Sequence, residues 1–227
     1  MHKMLIQIKQ YPIYFGLLSL MFTVLAVYCC LFSKLDIFMA LNGFHWIGLD
    51  YFFRFYTYLG DGICSMLVIL LFVGRKKYRI AGILLLAFIV TGVLIYVLKS
   101  VFLAPRPNLY FQEISFVYHH FVPGVALYNS GSFPSGHTAT AFAMATVLTL
   151  FTRNQQRSFL FFLAALLVGY SRVYLAQHFL LDVTVGMVLG TLIGMFSFYT
   201  IVEKKFNISF NKNHDKQQVC NSQIITK

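Results

Sequence analysis

The chain has 227 residues, of which 59% are hydrophobic and 11% are charged, and its mean hydropathy is +0.72. Soluble domains usually carry about 25% charged residues, so the composition excludes an ordinary soluble protein and indicates a polytopic membrane protein. The net charge of +11 does not indicate nucleic-acid binding, because the basic residues lie in short connectors between apolar segments, where they set orientation and contact anionic lipid.

Six apolar segments follow one another along the chain, each near the ~20 residues that a membrane-spanning helix needs. The sequence therefore predicts an all-α membrane protein with six transmembrane helices. The first segment is long and has no small-residue cleavage pattern, so we expect a retained helix and not a signal peptide. The predicted segments are Tyr11–Phe32, Tyr56–Val73, Ile80–Phe102, His137–Thr152, Ser158–Tyr174 and Phe179–Val202.

The distribution of lysine and arginine predicts the orientation. With a cytoplasmic N-terminus, 13 of these 18 residues lie on the cytoplasmic side. The other five are Lys34, Arg54, Lys99, Arg106 and Arg172. Cytoplasmic connectors carry the excess of positive charge, so both termini are expected on the cytoplasmic side of a cell inner membrane. We expect residues 1–203 to form one membrane domain and residues 204–227 a polar, disordered cytoplasmic tail.

Three polar clusters fall on the opposite, periplasmic or exterior face. Lys99 and Arg106 belong to KSVFLAPRP (99–107), PSGH (134–137) opens the fourth segment, and SRVYLAQHFLLD (171–182) joins the fifth and sixth. Ionisable groups near membrane-spanning helices are costly and usually functional. The three clusters together therefore indicate a site at this face.

The side chains of these clusters are of the types that bind an anion. Lys99, Arg106 and Arg172 supply positive charge, and guanidinium groups match phosphate oxygens. Ser135 offers a hydroxyl, and Gly136 allows a ligand to approach the free N–H groups at a helix N-terminus. The pattern predicts a phosphate-binding site.

His178 and Asp182 stand four residues apart, so a helix that begins there presents both on one face. The carboxylate can accept one ring N–H and leave the other nitrogen free as a nucleophile toward phosphorus. His137, from another helix, can protonate the leaving oxygen.

The full set, K-x6-RP, PSGH and SR-x5-H-x3-D, resembles the type 2 phosphatidic acid phosphatase superfamily, which shares its site with vanadium-dependent haloperoxidases. The resemblance implies a six-helix, metal-independent lipid phosphatase without a cofactor, in which His178 forms a phosphohistidine, Asp182 orients it and His137 is the general acid. It also implies that phosphoryl oxygens are held by Lys99, Arg106, Ser135, Gly136 and Arg172.

Several alternatives share these residues. The expected substrate is a lipid phosphate or diphosphate of the phosphatidate, phosphatidylglycerophosphate, undecaprenyl pyrophosphate or lipid A type. Transfer of the phosphoryl group to a second lipid uses the same intermediate, and a transporter of anionic lipids needs only the cations. A vanadium peroxidase gains nothing from a membrane scaffold.

A few chemically capable residues receive no role from the sequence. His119 and His120 suit solvent, a headgroup or a metal ion, and Asp61 suits either a site cation or water. The cysteines have neither a disulfide pattern nor zinc-binding spacing. The oligomeric state is not readable from the sequence either.

Overall fold

The computed structural model describes residues 8–152 and 154–225, with side chains described as far as residue 202. The described part of the chain is all-helical and contains no strand. Its α-helices, with a 3-10 turn at Thr57–Gly60 between α3 and α4, are α1 Pro12–Leu31, α2 Lys34–Asn42, α3 Ile47–Tyr56, α4 Gly62–Gly74, α5 Tyr78–Phe102, α6 Pro107–Glu113, α7 Gly136–Phe151, α8 Gln155–Tyr174 and α9 Leu180–Ile225.

Four helical stretches of the described chain are long and apolar enough to cross a membrane, or five if one bent pair counts as a single span. Helix α7 has only 16 residues, or ~24 Å at 1.5 Å per residue, against a hydrocarbon core of ~30 Å. Many apolar side chains face outward, Leu20, Leu67 and Val93 among them. The fold is therefore that of a multi-pass membrane protein. Six complete spans and cytoplasmic termini stay predictions.

The second predicted segment, Tyr56–Val73, is not one continuous helix. The chain bends by 56° between the helical stretch that ends at Gly60 and the one that begins at Gly62. Asp61 lies at the bend and caps α4 by accepting a hydrogen bond from the backbone N–H of Ile63, as N-terminal carboxylates commonly do. The capping carboxylate and its two flanking glycines explain the break.

Helix α9 is described to Ile225. The side chains of the polar tail predicted at residues 204–227 lie outside the described residues. Its disorder, its cytoplasmic location and the domain boundary at residue 203 stay predictions.

Helices α7 and α9 form the closest contact in the bundle, through three glycines one helical turn apart. A Cβ atom on Gly186 would lie 2.7 Å from the carbonyl oxygen of Ser135, and one on Gly194 would lie 2.8 Å from that of Ala143. A Cβ on Gly190, between them, would overlap the backbone of α7. Small residues allow helix backbones to approach in this way within membranes.

We expect Gly190→Ala to lower the thermal unfolding midpoint of the protein in detergent by several degrees. Overpacking of this kind costs about 1–3 kcal/mol, and backbone atoms cannot rotate away as a side chain can. Gly92→Ala in α5 is the matched control, because a Cβ atom there would have no other atom within 4 Å and alanine favours a helix. Equal midpoints for the two variants would contradict the close packing of α7 on α9.

Candidate active site

Backbone hydrogen bonds join the three sequence clusters at one end of the bundle. The N–H of Ser135 donates to the carbonyl oxygen of Asp182 at 3.0 Å, and the N–H of Ser132 donates to that of Ala104 at 3.0 Å. The segment that precedes α7 is thereby attached both to the connector after α5 and to the start of α9.

His178 lies in the connector between α8 and α9 and is 1% exposed. Its backbone N–H donates to the carbonyl oxygen of Arg172 at 3.1 Å. Its Nδ1 atom lies 3.5 Å from Oδ2 of Asp182 and makes no hydrogen bond of standard geometry within the described residues. The structure thus brings the predicted histidine and carboxylate together, at the long limit of a hydrogen bond.

Asp182 connects three segments through one oxygen. Its Oδ2 atom accepts hydrogen bonds from the hydroxyl of Ser132 at 2.5 Å and from the backbone N–H of Phe179 at 2.9 Å. The second bond is the helix-capping arrangement in which an acidic third residue accepts from the backbone of the cap. The carboxylate is therefore held in place on the side of the His178 ring that carries Nδ1.

Arg172 is the most buried of the three cations that the sequence assigned to phosphate, at 6% exposed. One of its terminal nitrogens, Nη1, donates to the hydroxyl of Thr57 at 2.6 Å. Its Nε atom has no hydrogen-bond partner among the described residues. A buried N–H without a partner is costly, so this atom is available to a ligand.

Arg106 is held by the loop that follows α6. Its Nε donates to the carbonyl oxygen of Ser130 at 3.1 Å, and Nη1 donates to Oε1 of Gln177 at 3.0 Å. Lys99 is close enough to feel the charges of Arg106 and Arg172. The three cations therefore form one positively charged cluster.

The PSGH residues begin α7 as predicted. Ser135 is its N-cap, and its Oγ lies 2.8 Å from the hydroxyl of Thr138. A Cβ on Gly136 would lie 3.4 Å from the nearest side-chain atom, an ordinary contact, so packing alone does not require glycine there. The expected contacts of Ser135 and Gly136 with phosphoryl oxygens stay predictions.

His137 is half-buried and lines a cavity of about 270 Å³ together with Arg172 and Gln177. Asp61 lines the same cavity. His119 and His120 are exposed and do not line it, and the ring of His120 stacks on that of His45 at 5.4 Å between centroids. No group of three His, Cys, Asp or Glu side chains suited to a metal ion occurs among the residues that the structure describes.

Three positioning residues were not predicted from the sequence. Ser132 and Gln177 are neighbours of recognised motifs, and their proximity to PSGH and to His178 was a usable signal. Thr57 gave none, because it contacts Arg172 across 115 positions of sequence.

A second cavity, of about 600 Å³, lies beside Asp182 and is mostly lined by apolar side chains of α1 and the start of α9. Lys34 borders it, with its ammonium 3.8 Å from the ring centre of Phe179. An apolar lining suits hydrocarbon and not phosphate.

Burial lowers the pKa of His178 to about 3, because a charged imidazole would lose its hydration there. The carboxylate of Asp182 opposes this shift, and the charges of Arg172 and Arg106 add to it. The ring is therefore neutral near pH 7, the form that can act as a nucleophile. Between the lowered value and ~6.5 the unfolded chain binds more protons than the folded one, so the free energy of unfolding falls as pH falls through this range.

We expect the ring of His178 to show no titration between pH 5 and 8 when followed by NMR of histidine-labelled protein in detergent. His178→Gln assigns the resonance by removing it. A titration midpoint of 6 or above for this resonance would contradict the burial of the uncharged ring.

Several known proteins and solved structures are similar to this chain over more than half of its length. The crystal structure of Aquifex aeolicus LpxE superimposes on this chain with a TM-score of 0.64 and 34% sequence identity. The match covers 73% of this chain and 95% of LpxE. A lipid A 4'-phosphatase of Porphyromonas gingivalis is 28% identical over 71% of this chain and 70% of its own length. Undecaprenyl-diphosphatase BcrC of Bacillus subtilis is 30% identical over 55% of this chain, which spans only 58% of that relative.

The family model for the PAP2 superfamily matches residues 80–206, which include all three sequence clusters. The predicted resemblance is confirmed by this match, and the chain belongs to the PAP2 superfamily.

Proposed function

We propose that this protein is an integral-membrane phosphatase that removes a terminal phosphate from a lipid phosphate or diphosphate. The observation that carries the proposal is the buried His178 beside the carboxylate of Asp182, at the end of the bundle where three cations gather. The lipid phosphatases among the relatives support the same reaction class.

In the proposed reaction, Nε2 of His178 attacks phosphorus while the bond from phosphorus to the leaving oxygen breaks. His137 acts as the general acid and donates a proton to that oxygen. A water molecule then attacks the phosphohistidine and loses a proton to His137, which releases inorganic phosphate and restores neutral His178. Asp182 stabilises the positive charge that develops on the ring.

Lys99, Arg106 and Arg172 act on the phosphoryl oxygens. Negative charge spreads over these oxygens in the transition state, so cations fixed before the reaction stabilise it more than they stabilise the bound substrate. Thr57 and Gln177 hold two of these cations in place. Ser135 and Gly136 would add donors from the start of α7.

We propose that the membrane domain covers residues 1–203, with six spans and both termini in the cytoplasm. The site then faces the periplasm or exterior at the depth of lipid headgroups. The positive-inside distribution supports this orientation, and the apolar 600 Å³ cavity beside Asp182 fits a hydrocarbon chain. The relatives that act on undecaprenyl diphosphate and on lipid A favour these two substrate types.

We expect purified wild-type protein to release phosphate from such lipids in the presence of a chelator, and His178→Ala to reduce the rate by at least about 10³-fold, because the nucleophile is lost. Arg75→Gln, an exposed cation outside the site, is the control. Full activity in His178→Ala would refute the mechanism. Transport of an anionic lipid that survives this substitution would favour a transporter instead.

A phosphotransferase would use the same phosphohistidine. Addition of a second lipid with a free hydroxyl distinguishes the two reactions, since a transferase yields a new phosphorylated lipid in place of inorganic phosphate. We expect inorganic phosphate.

We expect Ser132→Ala to lower kcat by about tenfold with little change in KM, because it removes one hydrogen bond to the orienting carboxylate. Asp182→Asn should reduce kcat further. A larger loss in Ser132→Ala than in Asp182→Asn would mean that Ser132 acts on the substrate and not through Asp182.

A further inference from the structure

The 270 Å³ cavity that contains His137 and Arg172 also contains two charged side chains to which the reaction above gives no task, Arg54 and Asp61. Tyr58 and Tyr128, both more than half exposed, stand at its edge. The volume is below the ~300–1,000 Å³ of sites for drug-sized ligands. The cavity therefore fits a headgroup and not a lipid chain.

Arg54 is fixed by the loop opposite α3. Its Nη1 donates to the carbonyl oxygen of Pro123 at 3.3 Å. A Cβ on Gly124, whose φ is +75°, would lie 2.6 Å from the same nitrogen. The guanidinium thus packs directly on a glycine backbone, which orients it and leaves further N–H groups for a ligand.

Asp61 caps α4 with Oδ1, which accepts from the N–H of Ile63 at 3.4 Å. This cap uses one carboxylate oxygen, so the other can accept a hydrogen bond from a ligand. Arg172, with its unpaired buried Nε, lies in the same cavity and marks where the phosphoryl group is expected.

His137 identifies the side on which the leaving group lies, because a general acid must reach the leaving oxygen. Arg54 donates hydrogen bonds and Asp61 accepts them. A hydroxyl group can accept a hydrogen bond from Arg54 and donate one to Asp61, whereas a second phosphate would pair with Arg54 and be repelled by Asp61. At the edge, the guanidinium of Arg106 lies 5.0 Å from the ring centre of Tyr128, and the exposed ring of Tyr58 provides a flat apolar face of the kind that sugar rings cover.

We propose that Arg54 and Asp61 form a leaving-group subsite that recognises the hydroxyl groups of a phosphorylated sugar lipid. This inference rests on the proposed phosphatase function and narrows it to a polyhydroxylated leaving group. Specificity then comes from α3 and the start of α4, outside all three motifs that hold the phosphate.

Asp61 also feels the charge of Arg172, so a purely electrostatic role is the competing explanation. The experiment compares kcat/KM for an acylated hexosamine phosphate, farnesyl diphosphate and phenyl phosphate. Phenyl phosphate carries no hydroxyl on its leaving group and reports the phosphoryl site alone. The variants are Arg54→Gln, Arg54→Lys and Asp61→Ser, in which serine still caps α4.

We expect the ratio of kcat/KM for the sugar phosphate to that for phenyl phosphate to fall about tenfold or more in Arg54→Gln and Asp61→Ser, as for one lost charged hydrogen bond. Arg54→Lys should recover part of it, and Arg75→Gln should leave it unchanged. An unchanged ratio in both subsite variants overturns the proposal. A greater loss for farnesyl diphosphate than for the sugar phosphate in Arg54→Gln also overturns it, in favour of a second-phosphate site.

Binding of the dephosphorylated acylated hexosamine tests the subsite without turnover. We expect it to raise the thermal unfolding midpoint of the wild type and not of Arg54→Gln or Asp61→Ser. No rise in the wild type overturns the subsite. Failure of the wild type to release phosphate from any substrate would instead refute the proposed function.

Discussion

The backbone contact between α7 and α9 is the constraint on which the site depends. His137 and the N–H groups proposed to face phosphate belong to α7, whereas Asp182 belongs to α9 and His178 lies in the connector before it. Gly186, next to this end, allows the carbonyl oxygen of Ser135 to lie against α9, where the Ser135 N–H meets the carbonyl of Asp182. Because neither helix can slide without backbone collision, the proposed general acid and the proposed nucleophile keep a fixed separation, which transition-state stabilisation requires.

Asp182 turns this helix contact into a functional geometry. Its Oδ2 atom caps α9 and accepts a hydrogen bond from the hydroxyl of Ser132. The same atom lies 3.5 Å from Nδ1 of His178. A buried carboxylate is stable only when hydrogen bonds replace its hydration. The bonds that stabilise the folded connector are therefore also the bonds that orient the proposed nucleophile, so loss of either would affect the other.

The sequence identified groups whose chemistry is local to a motif. The PSGH helix start, the pairing of His178 with Asp182 and the helical course of most segments follow from caps, spacing and hydropathy. The break at Asp61 and the partner of Arg172 did not, because Gly-Asp-Gly is compatible with a helix end or a turn. Thr57 contacts Arg172 only because distant segments pack together. Arg54 is held at the cavity by a hydrogen bond to Pro123, which lies 69 positions away in the sequence. Long-range partners have no periodicity that a single sequence displays.

The charge balance at this end of the bundle supports the proposed binding of a phosphoryl group there. Lys99, Arg106 and Arg172 repel one another. Asp182 accepts its hydrogen bonds from Ser132 and the backbone N–H of Phe179, and not from these cations. In surroundings of low dielectric such repulsion is strong. The hydrogen bonds that Arg172 donates to Thr57 and Arg106 donates to Gln177 prevent the arginines from turning away to solvent. An anion with several oxygens relieves the repulsion in proportion to its charge. In the proposed reaction, the same clustering of like charges, which is unfavourable on its own, favours the transition state, in which charge is spread over the phosphoryl oxygens.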